Sequence, residues 1–252
     1  MALSERKQKI LEILEEAGNV NVTELSNLFG VSEVTIRNYL TDLESKGLLS
    51  RVHGGAISSH KPYYNMNLTQ RLKTNNEQKR EIADKVSSLI NDNDTIMINS
   101  GTTSLLVFRA FPTRYNLNIV TNSIAIALEA ANIPNFNIVL AGGSVNTKYQ
   151  FTYGFDTISI LKSYHADKLI LSVDGIDTES GFTTYYDKES SIDRIMLEQS
   201  DMCIVAADTS KFKRTAFSKI ADLSVANHII TNSSLDNDIY NEFVSQGIDI
   251  YR

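Results

Sequence analysis

The sequence predicts an α/β protein in which a small helical domain with a β-hairpin precedes a larger domain built on an open, mainly parallel sheet. Three observations lead to this prediction. Apolar residues recur at helical spacing near the N-terminus, two short apolar strands around a glycine pair follow them, and short apolar strands then alternate with helical stretches. Strands separated by helices are joined by crossovers, so the larger sheet should be parallel. We predict domains over residues 1–57 and 77–252, joined by a polar linker over 58–76.

The composition is that of an ordinary globular chain. Its 252 residues, 42% of them hydrophobic, can bury a sizeable core, and no stretch approaches the roughly 18 uninterrupted apolar residues of a membrane-spanning helix. The single cysteine, Cys203, lies in an apolar run, and no cluster of cysteine and histidine suggests a zinc site. No Gly-x-Gly-x-x-Gly follows a predicted strand, which disfavours a redox sensor that binds NAD. We therefore expect a cytoplasmic protein without a cofactor.

The charge of the chain gives little support to nucleic-acid binding. The net charge is -6, and residues 1–57 hold six Lys and Arg against eight Asp and Glu. A broad basic surface is therefore excluded. Contact with DNA would have to depend on a few well-placed cations and on backbone amides.

The elements of the first domain are predicted from their caps and stops. A first amphipathic helix precedes a short helix that Thr23 is expected to cap and Gly30 to end, and Ser32 is expected to cap a third helix. Glycines also mark the ends of the first and third helices, at Gly18 and Gly47. The two short strands up to residue 57 then form a hairpin. A short helix, a glycine turn, a capped helix and a hairpin are the parts of a winged helix-turn-helix.

The third helix carries the residue types that contact DNA. In a helix-turn-helix the second helix of the motif, here the third of the chain, places its N-terminal residues in the major groove. Arginine can pair with guanine, asparagine with adenine, and threonine with a phosphate or a thymine methyl group. The candidate DNA-contacting residues are Ser32, Thr35, Arg37 and Asn38 on this helix, with Arg51, His53 and Gly54 on the hairpin.

Other interpretations of the first domain stay open. A three-helix domain can serve protein contacts, Arg37 can be a surface salt-bridge partner, and His53 can be a packed turn residue. The turn, the third helix and the Arg-x-His-Gly-Gly hairpin occur together and in order, which favours DNA binding.

The second domain is predicted as seven strands alternating with helices. The strands are expected near residues 94–99, 117–121, 136–141, 167–173, 201–207, 228–231 and 248–251. The helices are expected near residues 77–91, 101–111, 123–132, 156–164, 188–200 and 235–246. This alternation is typical of an open α/β sheet.

Polar or glycine-bearing loops follow five of these strands. Ligands of open parallel sheets bind outside the carboxyl ends of the strands, where such loops converge. One loop, residues 100–103, leads directly into a helix, and helix N-terminal amides with two hydroxyls suit a phosphate. Asp174 can accept hydrogen bonds from sugar hydroxyls, and Lys211 can pair with phosphate charge. The candidate ligand-binding residues are Ser100, Gly101, Thr102, Thr103, Asn122, Gly142, Gly143, Asp174, Gly175 and Lys211.

Each of these loops has a plainer interpretation when taken singly. The glycine pair at 142–143 can be only a turn, Asp174 only the cap of a strand, and Lys211 only a surface lysine. Five such loops at one edge of one sheet together favour a ligand site.

Both halves of the chain resemble the DeoR-type (deoxyribose-repressor) bacterial regulators. The resemblance rests on the segments 31–37 and 51–56 in the first half. In the second half it rests on residues 79–83, 100–103, 121–123, 142–143, 174–175 and 208–212. It implies a sensor domain related in fold to ribose-5-phosphate isomerase, with a phosphorylated sugar or alditol as the inducer that weakens repression. It also implies that Lys79 takes part in effector binding.

The chain departs from the family pattern at three places. The family usually has Arg-Asp where this chain has Asn38-Tyr39, and Tyr39 is expected to pack against a sugar-phosphate edge of the DNA instead. Asn99 stands where the family commonly has Asp, and residues 149–153 are bulkier than usual, which should change the sugar that fits. Residues 174–177 and 181–184 are similar to those of members that control alditol or amino-sugar use.

Two functions follow, and the regulator is favoured. It would be a homo-oligomer, a dimer or tetramer, that binds double-stranded operator DNA and represses a sugar or alditol operon. The alternative is a sugar-phosphate isomerase with an accessory domain, because Asp174-Gly-Ile-Asp177 is similar to the acidic loop of such enzymes. However, those enzymes typically carry Glu where this chain has Thr178, followed by a glycine-rich, lysine-bearing loop that the sequence lacks. We therefore expect no enzymatic activity.

Overall fold

The structure, a computed structural model, describes residues 3–17, 19–45, 49–52, 54–58, 66–111 and 116–252. The chain divides into two compact units, residues 1–67 and 68–252. Three residues that the sequence analysis names, Gly18, Gly47 and His53, lie outside the described ranges.

The described part of the N-terminal unit consists of helices and a small antiparallel sheet, as the sequence predicts. The helices are α1 (Leu3–Ala17), α2 (Val22–Phe29) and α3 (Glu33–Ser45), and the strands are β1 (Asn19–Asn21), β2 (Leu49–Val52) and β3 (Gly55–Ser58). Leu14, Leu25 and Ile36, one from each helix, share a core with Leu49 and Ala56 of the hairpin. This shared core fixes the hairpin beside the helices, which is the arrangement of a winged helix-turn-helix.

The caps of α2 and α3 test the local predictions. The Ser32 hydroxyl accepts a hydrogen bond from the Thr35 amide at 3.2 Å, so Ser32 caps α3 as predicted. Gly30 ends α2 in the left-handed conformation, with φ of 62°. The predicted cap of α2 is wrong, because the side chain of Asn21 accepts from the Thr23 amide at 2.8 Å. Asparagine is the stronger cap of the two, and the capping position accordingly lies two residues earlier.

Strand β1 is an element that the sequence analysis does not predict. It pairs with β3, so the sheet has the order β1-β3-β2. Only Val20 of its three residues is buried, and three residues are too few to show an alternating pattern.

The C-terminal unit contains every strand and helix predicted for it. Its helices are α4 (Leu68–Lys73), α5 (Asn76–Ser87), α6 (Thr102–Arg109), α7 (Ile124–Ala130), α8 (Phe155–Leu161), α9 (Asp187–Glu198) and α10 (Asn237–Ser245). Its main strands are β4 (Thr95–Ile98), β5 (Leu117–Thr121), β6 (Phe136–Leu140), β9 (Ala166–Leu171), β12 (Ser200–Ala206), β14 (His228–Ile230) and β15 (Ile250–Tyr251). Shorter strands lie between them: β7 (Ser144–Asn146), β8 (Phe151–Tyr153), β10 (Gly175–Asp177), β11 (Gly181–Thr184) and β13 (Ser218–Ala221).

The main strands form one parallel sheet with the order β15-β14-β12-β9-β4-β5-β6. From β4 the chain proceeds outward to β5 and β6, and from β9 it proceeds outward on the other side to β12, β14 and β15. The strand order therefore reverses between β4 and β9, and a crevice opens at such a point outside the carboxyl ends of the strands.

Both faces of the sheet are covered by apolar side chains. Ile96 and Ile98 belong to the core on one face, whereas Met97 between them belongs to the core on the other face. A sheet buried on both faces leaves its edges and its strand ends as the places where polar groups can gather.

The predicted linker over residues 58–76 is partly wrong. Helix α4 occupies residues 68–73, and the C-terminal unit begins with it. Its pattern is weak because only Leu68 is buried and Leu72 is partly buried, so that six mostly polar residues do not show a helical stripe. In the described ranges no helix is long and apolar enough to cross a membrane.

Candidate functional site

The first turns of α3 present polar side chains to solvent. Ser32, Arg37 and Asn38 are exposed, and Thr35 is partly exposed. The hydroxyls of Ser32 and Thr35 lie 2.9 Å apart in a hydrogen bond. These four predicted residues therefore share the accessible N-terminal part of the helix.

Arg37 is held along the helix by an acidic partner. Its Nη2 atom lies 2.6 Å from Glu33 Oε2, and Glu33 Oε1 accepts a hydrogen bond of 2.8 Å from the Thr23 hydroxyl of α2. The Thr23 hydroxyl, more than Arg37, lowers the pKa of Glu33. In the protein without DNA, Arg37 is thus a surface salt-bridge partner of Glu33. Half of the Arg37 side chain is exposed, so it remains accessible to a further partner.

The hairpin residues lie next to α3. Arg51 is exposed, its Nη1 atom donates to the Thr41 hydroxyl at 2.7 Å, and its amide donates to Glu44 at 2.8 Å. Gly54 is exposed with φ of 81°, and its carbonyl accepts a hydrogen bond of 2.9 Å from the Val22 amide. The tip of the hairpin is therefore tied to the start of α2.

Tyr39 corrects one expectation. It is only 7% exposed, it belongs to the core of the N-terminal unit, and the Lys7 ammonium lies 5.7 Å from its ring centroid. The predicted contact of Tyr39 with the DNA backbone is therefore wrong. Tyr39 lies three residues after Ile36 and four before Leu43, which is the spacing of the buried face of a helix.

Val34 is an exposed residue that the sequence pattern does not single out. Its side chain is 63% exposed in the first turn of α3, next to the polar residues described above. An apolar group at this place suits a thymine methyl group. Apolar residues of a helix usually point inward, so the exposure of Val34 cannot be predicted from its residue type.

We expect Tyr39→Phe to change the specific DNA affinity by less than about 0.5 kcal/mol, a factor of about two. The change removes a hydroxyl from a side chain that packs inward. A quantitative gel shift measures it, with Asn38→Ala as the comparison on the exposed face. A tenfold loss for Tyr39→Phe would return this residue to the DNA-contacting set.

The loop between β4 and α6 has the form of an anion site. Ser100, Thr102 and Thr103 are buried there, and the first amides of α6 have no acceptor within the helix. Gly101 has φ of 131°, and a Cβ atom would lie 2.4 Å from the Ser172 hydroxyl, so only glycine fits. The positive end of the helix dipole adds to the attraction of this loop for an anion.

A cluster of charged side chains surrounds Asp174 at the carboxyl end of β9. Arg71 Nη2 lies 2.9 Å and Lys211 Nζ 3.9 Å from Asp174 Oδ1, and Arg214 is also buried nearby. Burial alone would raise the pKa of Asp174, but Arg71, Lys211 and Arg214 outweigh it and hold the pKa below its usual value. Asp174 is thus a charged centre of the crevice and more than the cap of a strand.

Two acids beside this cluster, the partly buried Glu189 and the buried Asp193, are not predicted from the sequence. Glu189 of α9 accepts hydrogen bonds of 2.8 Å from the hydroxyls of Ser100 and Thr184. Burial, and then Asp174, raises the pKa of Glu189, while burial, and then Glu189, raises the pKa of Asp193 well above its usual value. Burial therefore disfavours the charged form of both acids.

Lys79 of α5 is buried next to α4 and contacts its backbone. It is 1% exposed, and its Nζ atom donates to the carbonyls of Arg71 and Thr74 at 2.9 and 2.6 Å. Lys79 also acts on Asp208 after β12. Burial would raise the pKa of Asp208, but Lys211 and then Lys79 hold it below the usual value.

At the carboxyl edge of the sheet, Asn122 offers a polar atom, whereas Gly143 and Gly175 serve packing. Asn122 donates to the Thr152 carbonyl at 3.2 Å, whereas its buried Oδ1 atom has no hydrogen-bond donor in the part of the chain that the structure describes. A Cβ atom at Gly175 would lie 2.4 Å from the Arg214 carbonyl, and one at Gly143 would lie 2.3 Å from the Thr157 hydroxyl. These glycines permit close packing.

The five predicted loops do lie at one edge of the sheet, but the distance between the outermost loops is greater than the length of one small ligand. The strands before Lys211 and Gly142, β12 and β6, are separated by four strand spacings, about 19 Å in total. The Gly142 carbonyl moreover accepts a hydrogen bond of 2.8 Å from Thr157. The glycine pair is accounted for by this turn, and the charged groups converge at the crevice between β4 and β9.

Comparison with protein families decides the identity of both units. The model described as "DeoR-like helix-turn-helix domain" matches residues 6–62, and the one described as "DeoR C terminal sensor domain" matches residues 74–233. The chain belongs to the DeoR family. It is a DNA-binding transcriptional regulator with a sensor domain.

Known DeoR-type proteins are similar over nearly the whole chain. The uncharacterized HTH-type transcriptional regulator YulB of Bacillus subtilis is 34% identical over 94% of this chain and 91% of its own. The putative aga operon transcriptional repressor of Escherichia coli O157:H7 is 32% identical over 98% and 93%. The glycerol-3-phosphate regulon repressor of Escherichia coli K12 is 31% identical over 92% of each chain.

Among solved structures, ribose 5-phosphate isomerase A from Methanocaldococcus jannaschii is similar over 55% of each chain, with 16% identity and a TM-score of 0.42. This likeness concerns the fold of about half of the chain.

Two departures from the DeoR pattern have different consequences. Asn99 is fully buried and donates to the Ser172 carbonyl at 2.9 Å and to Asp193 at 3.0 Å, so it joins β4 to β9 in a way that an aspartate could not. The bulky segment after β7 places Tyr149 4.9 Å from the Tyr186 ring and 4.9 Å from the Arg71 guanidinium. That segment forms an aromatic wall beside the charged cluster.

Proposed function

We propose that this DeoR-family regulator represses an operon for sugar or alditol use, and that a phosphorylated sugar or alditol bound between β4 and β9 relieves the repression. The observation that carries the effector part is the convergence of three buried or largely buried cations, Arg71, Lys211 and Arg214, on Asp174 in the crevice. The repressors among its relatives, one of them named for the glycerol-3-phosphate regulon, support the same direction.

The cations of the crevice suit a phosphate group. Among the described residues of this site, four buried or largely buried cations are present: Arg71, Lys79, Lys211 and Arg214. Of the four acids beside them, Asp174 and Asp208 have a lowered pKa, whereas Glu189 and Asp193 have a raised pKa. Arginine and lysine donate charge-assisted hydrogen bonds to phosphate oxygens, and a phosphate monoester supplies about two negative charges near pH 7.

The polar groups around this charge suit a hydroxylated molecule. The buried Oδ1 atom of Asn122, without a donor in the described part of the chain, is an acceptor for a hydroxyl group. The amides and hydroxyls at the start of α6 are donors for phosphate oxygens. A sugar phosphate with its phosphate near α6 and its hydroxyl groups toward β5 would bind to the donors of α6 and to the Asn122 acceptor.

The DNA-bound form is proposed to be a homo-oligomer in the cytoplasm. Helix-turn-helix regulators commonly bind two half-sites about one helical turn apart, which requires at least two copies of the motif. A dimer or tetramer of this chain would provide them on double-stranded operator DNA.

The alternative of an isomerase is disfavoured by the position of Asp177. Its carboxylate accepts hydrogen bonds from the amides of Glu179 and Ser180 at 3.0 and 2.9 Å, and these bonds lower its pKa. A carboxylate engaged in a turn is a poor base for proton transfer. Turnover of pentose phosphates that Asp177→Asn abolishes would restore the enzyme hypothesis.

We expect Arg37→Ala to weaken binding to the specific operator by about 1–3 kcal/mol, because Arg37 would lose its contact with a base. The measurement is a gel shift, titrated with salt, on the DNA upstream of the operon beside the gene. Arg109→Ala is the matched control, since this exposed arginine of the other unit also pairs with a carboxylate, Glu129. If the wild-type chain binds scrambled DNA equally well at physiological salt, the regulator proposal fails.

A further inference from the structure

Arg71 joins the ligand crevice to the helix that follows the DNA-binding unit. The N-terminal unit ends at residue 67 and α4 begins at Leu68. From this helix the Arg71 side chain reaches Asp174, 103 positions later in the sequence, and its guanidinium lies 4.9 Å from the Tyr149 ring. Only 12% of the Arg71 side chain is exposed. The first helix of the sensor thus places a cation inside the crevice.

The rest of α4 is attached to groups of the same site. The Leu68 amide donates to the Lys148 carbonyl at 3.1 Å, at the N-terminal end of the helix. Lys79 donates to the Arg71 carbonyl from within the charged cluster. Asn75, just after the helix, donates to Asp208 at 3.1 Å. The position of α4 therefore depends on the charged residues of the crevice.

An anion in the crevice competes with Asp174 for Arg71. A guanidinium offers two parallel N–H donors, which match a phosphate as well as they match a carboxylate. Lys211 lies 3.9 Å from the same carboxylate oxygen, so a phosphate that approaches Lys211 also approaches Arg71. A phosphate there competes with Asp174 as the acceptor of Arg71, and replacement of Asp174 changes the forces on α4.

We propose that Arg71 is an effector-binding residue whose guanidinium exchanges Asp174 for the anionic group of the effector, and that this exchange transmits occupancy to the segment leading to the DNA-binding unit. The inference rests on the proposed function, because it requires an anion in the crevice. It supplies the difference in contacts between two states that any effector needs in order to shift an equilibrium.

The test uses the full chain and inorganic phosphate, with sodium chloride at equal ionic strength as the reference. Hydrogen exchange of the segment 66–79 reports on α4, and calorimetry gives the phosphate affinity. In the wild-type chain we expect saturating phosphate to slow exchange of this segment at least about fivefold, the lower range of allosteric coupling.

Arg71→Lys keeps the charge and removes the fork of donors. We expect it to weaken phosphate binding roughly tenfold and to abolish the change in exchange even at saturation. Arg109→Lys is the control, because it makes the same chemical change at a pair with Glu129 outside the crevice, and it should respond like the wild type.

The outcomes separate this inference from the proposed function. Phosphate binding to the wild-type chain without a change in segment 66–79 overturns the inference and leaves the proposed anion site standing. A wild-type response in Arg71→Lys overturns it as well. If the wild-type chain binds no phosphate, both the anion site and the role of Arg71 are wrong.

Discussion

Replacement of Asp174 by asparagine is expected to lower the free energy of unfolding by about 3–5 kcal/mol, the usual cost of removing one partner from a buried ion pair. Asparagine preserves the size of the side chain but leaves Arg71, Lys211 and Arg214 facing one another without the carboxylate that joins them. Urea denaturation at pH 7 and low salt measures the loss.

The matched control for this variant is Asp222→Asn. Asp222 also pairs with a lysine, Lys219, but its side chain is 74% exposed, and exposed pairs contribute less than about 1 kcal/mol. Addition of phosphate should restore part of the stability of Asp174→Asn, because an anion bound only to the native state stabilises it by mass action. Wild-type stability in Asp174→Asn would contradict the charged-cluster account.

The acids at this cluster make the free energy of unfolding depend on pH in two opposite ways. Asp174 and Asp208 have lowered pKa values, so their contribution to stability is present above the pKa of the unfolded chain and is lost as the pH falls through the folded values. Glu189 and Asp193 have raised pKa values, so their contribution is complete below the unfolded pKa and is lost as the pH rises through the folded values. In Asp174→Asn the pKa of Glu189 should fall, because Asp174 is one cause of its rise.

Thr102→Val combined with Lys211→Met is expected to abolish induction at effector concentrations that release the wild-type protein from DNA. Lys211 would lose a charge-assisted hydrogen bond to phosphate, worth about 1.5–3 kcal/mol, and Thr102 a hydroxyl contact worth about 0.5–1.5 kcal/mol. Together they correspond to a roughly 30- to 2,000-fold higher effector concentration. Methionine is chosen because it fills the buried space of the lysine stem.

The effector for this experiment comes from a thermal-shift screen of phosphorylated sugars and alditols. Operator affinity in the absence of effector should remain within about twofold, since neither residue lies in the N-terminal unit. Lys219→Met is the control at an exposed lysine. A double variant that responds to effector like the wild type would remove the crevice from the effector hypothesis.

The local features of this protein follow from short stretches of sequence. The caps and stops at Ser32 and Gly30, the alternation of helix and strand, and the polar loops after the strands all arise from residues within one or two turns of one another. Such signals depend on backbone geometry and on hydrophobic spacing, so they predict elements, their order and the edge at which ligand groups gather.

The spacing of residues in a helix can also assign a residue to the wrong face when buried and exposed positions are neighbours in the sequence. Tyr39 stands beside the exposed Asn38 but lies on the side of Ile36 and Leu40, and the structure places it in the core. Helix α4 shows the converse case, because only Leu68 in it is buried. Six residues give too few positions for the helical period to appear.

The sequence by itself determined a regulator with two domains, a capped third helix and a parallel sheet with ligand loops at its carboxyl edge. Only the tertiary structure decided which groups meet there: Arg71 from the predicted linker, Arg214 beyond Lys211, and Glu189 from α9 beside Asp174. The physical reason is that a charge cluster is set by distances across the fold. A pair such as Arg71 and Asp174, 103 residues apart, leaves no periodic trace in the chain, because chain folding alone brings its members together.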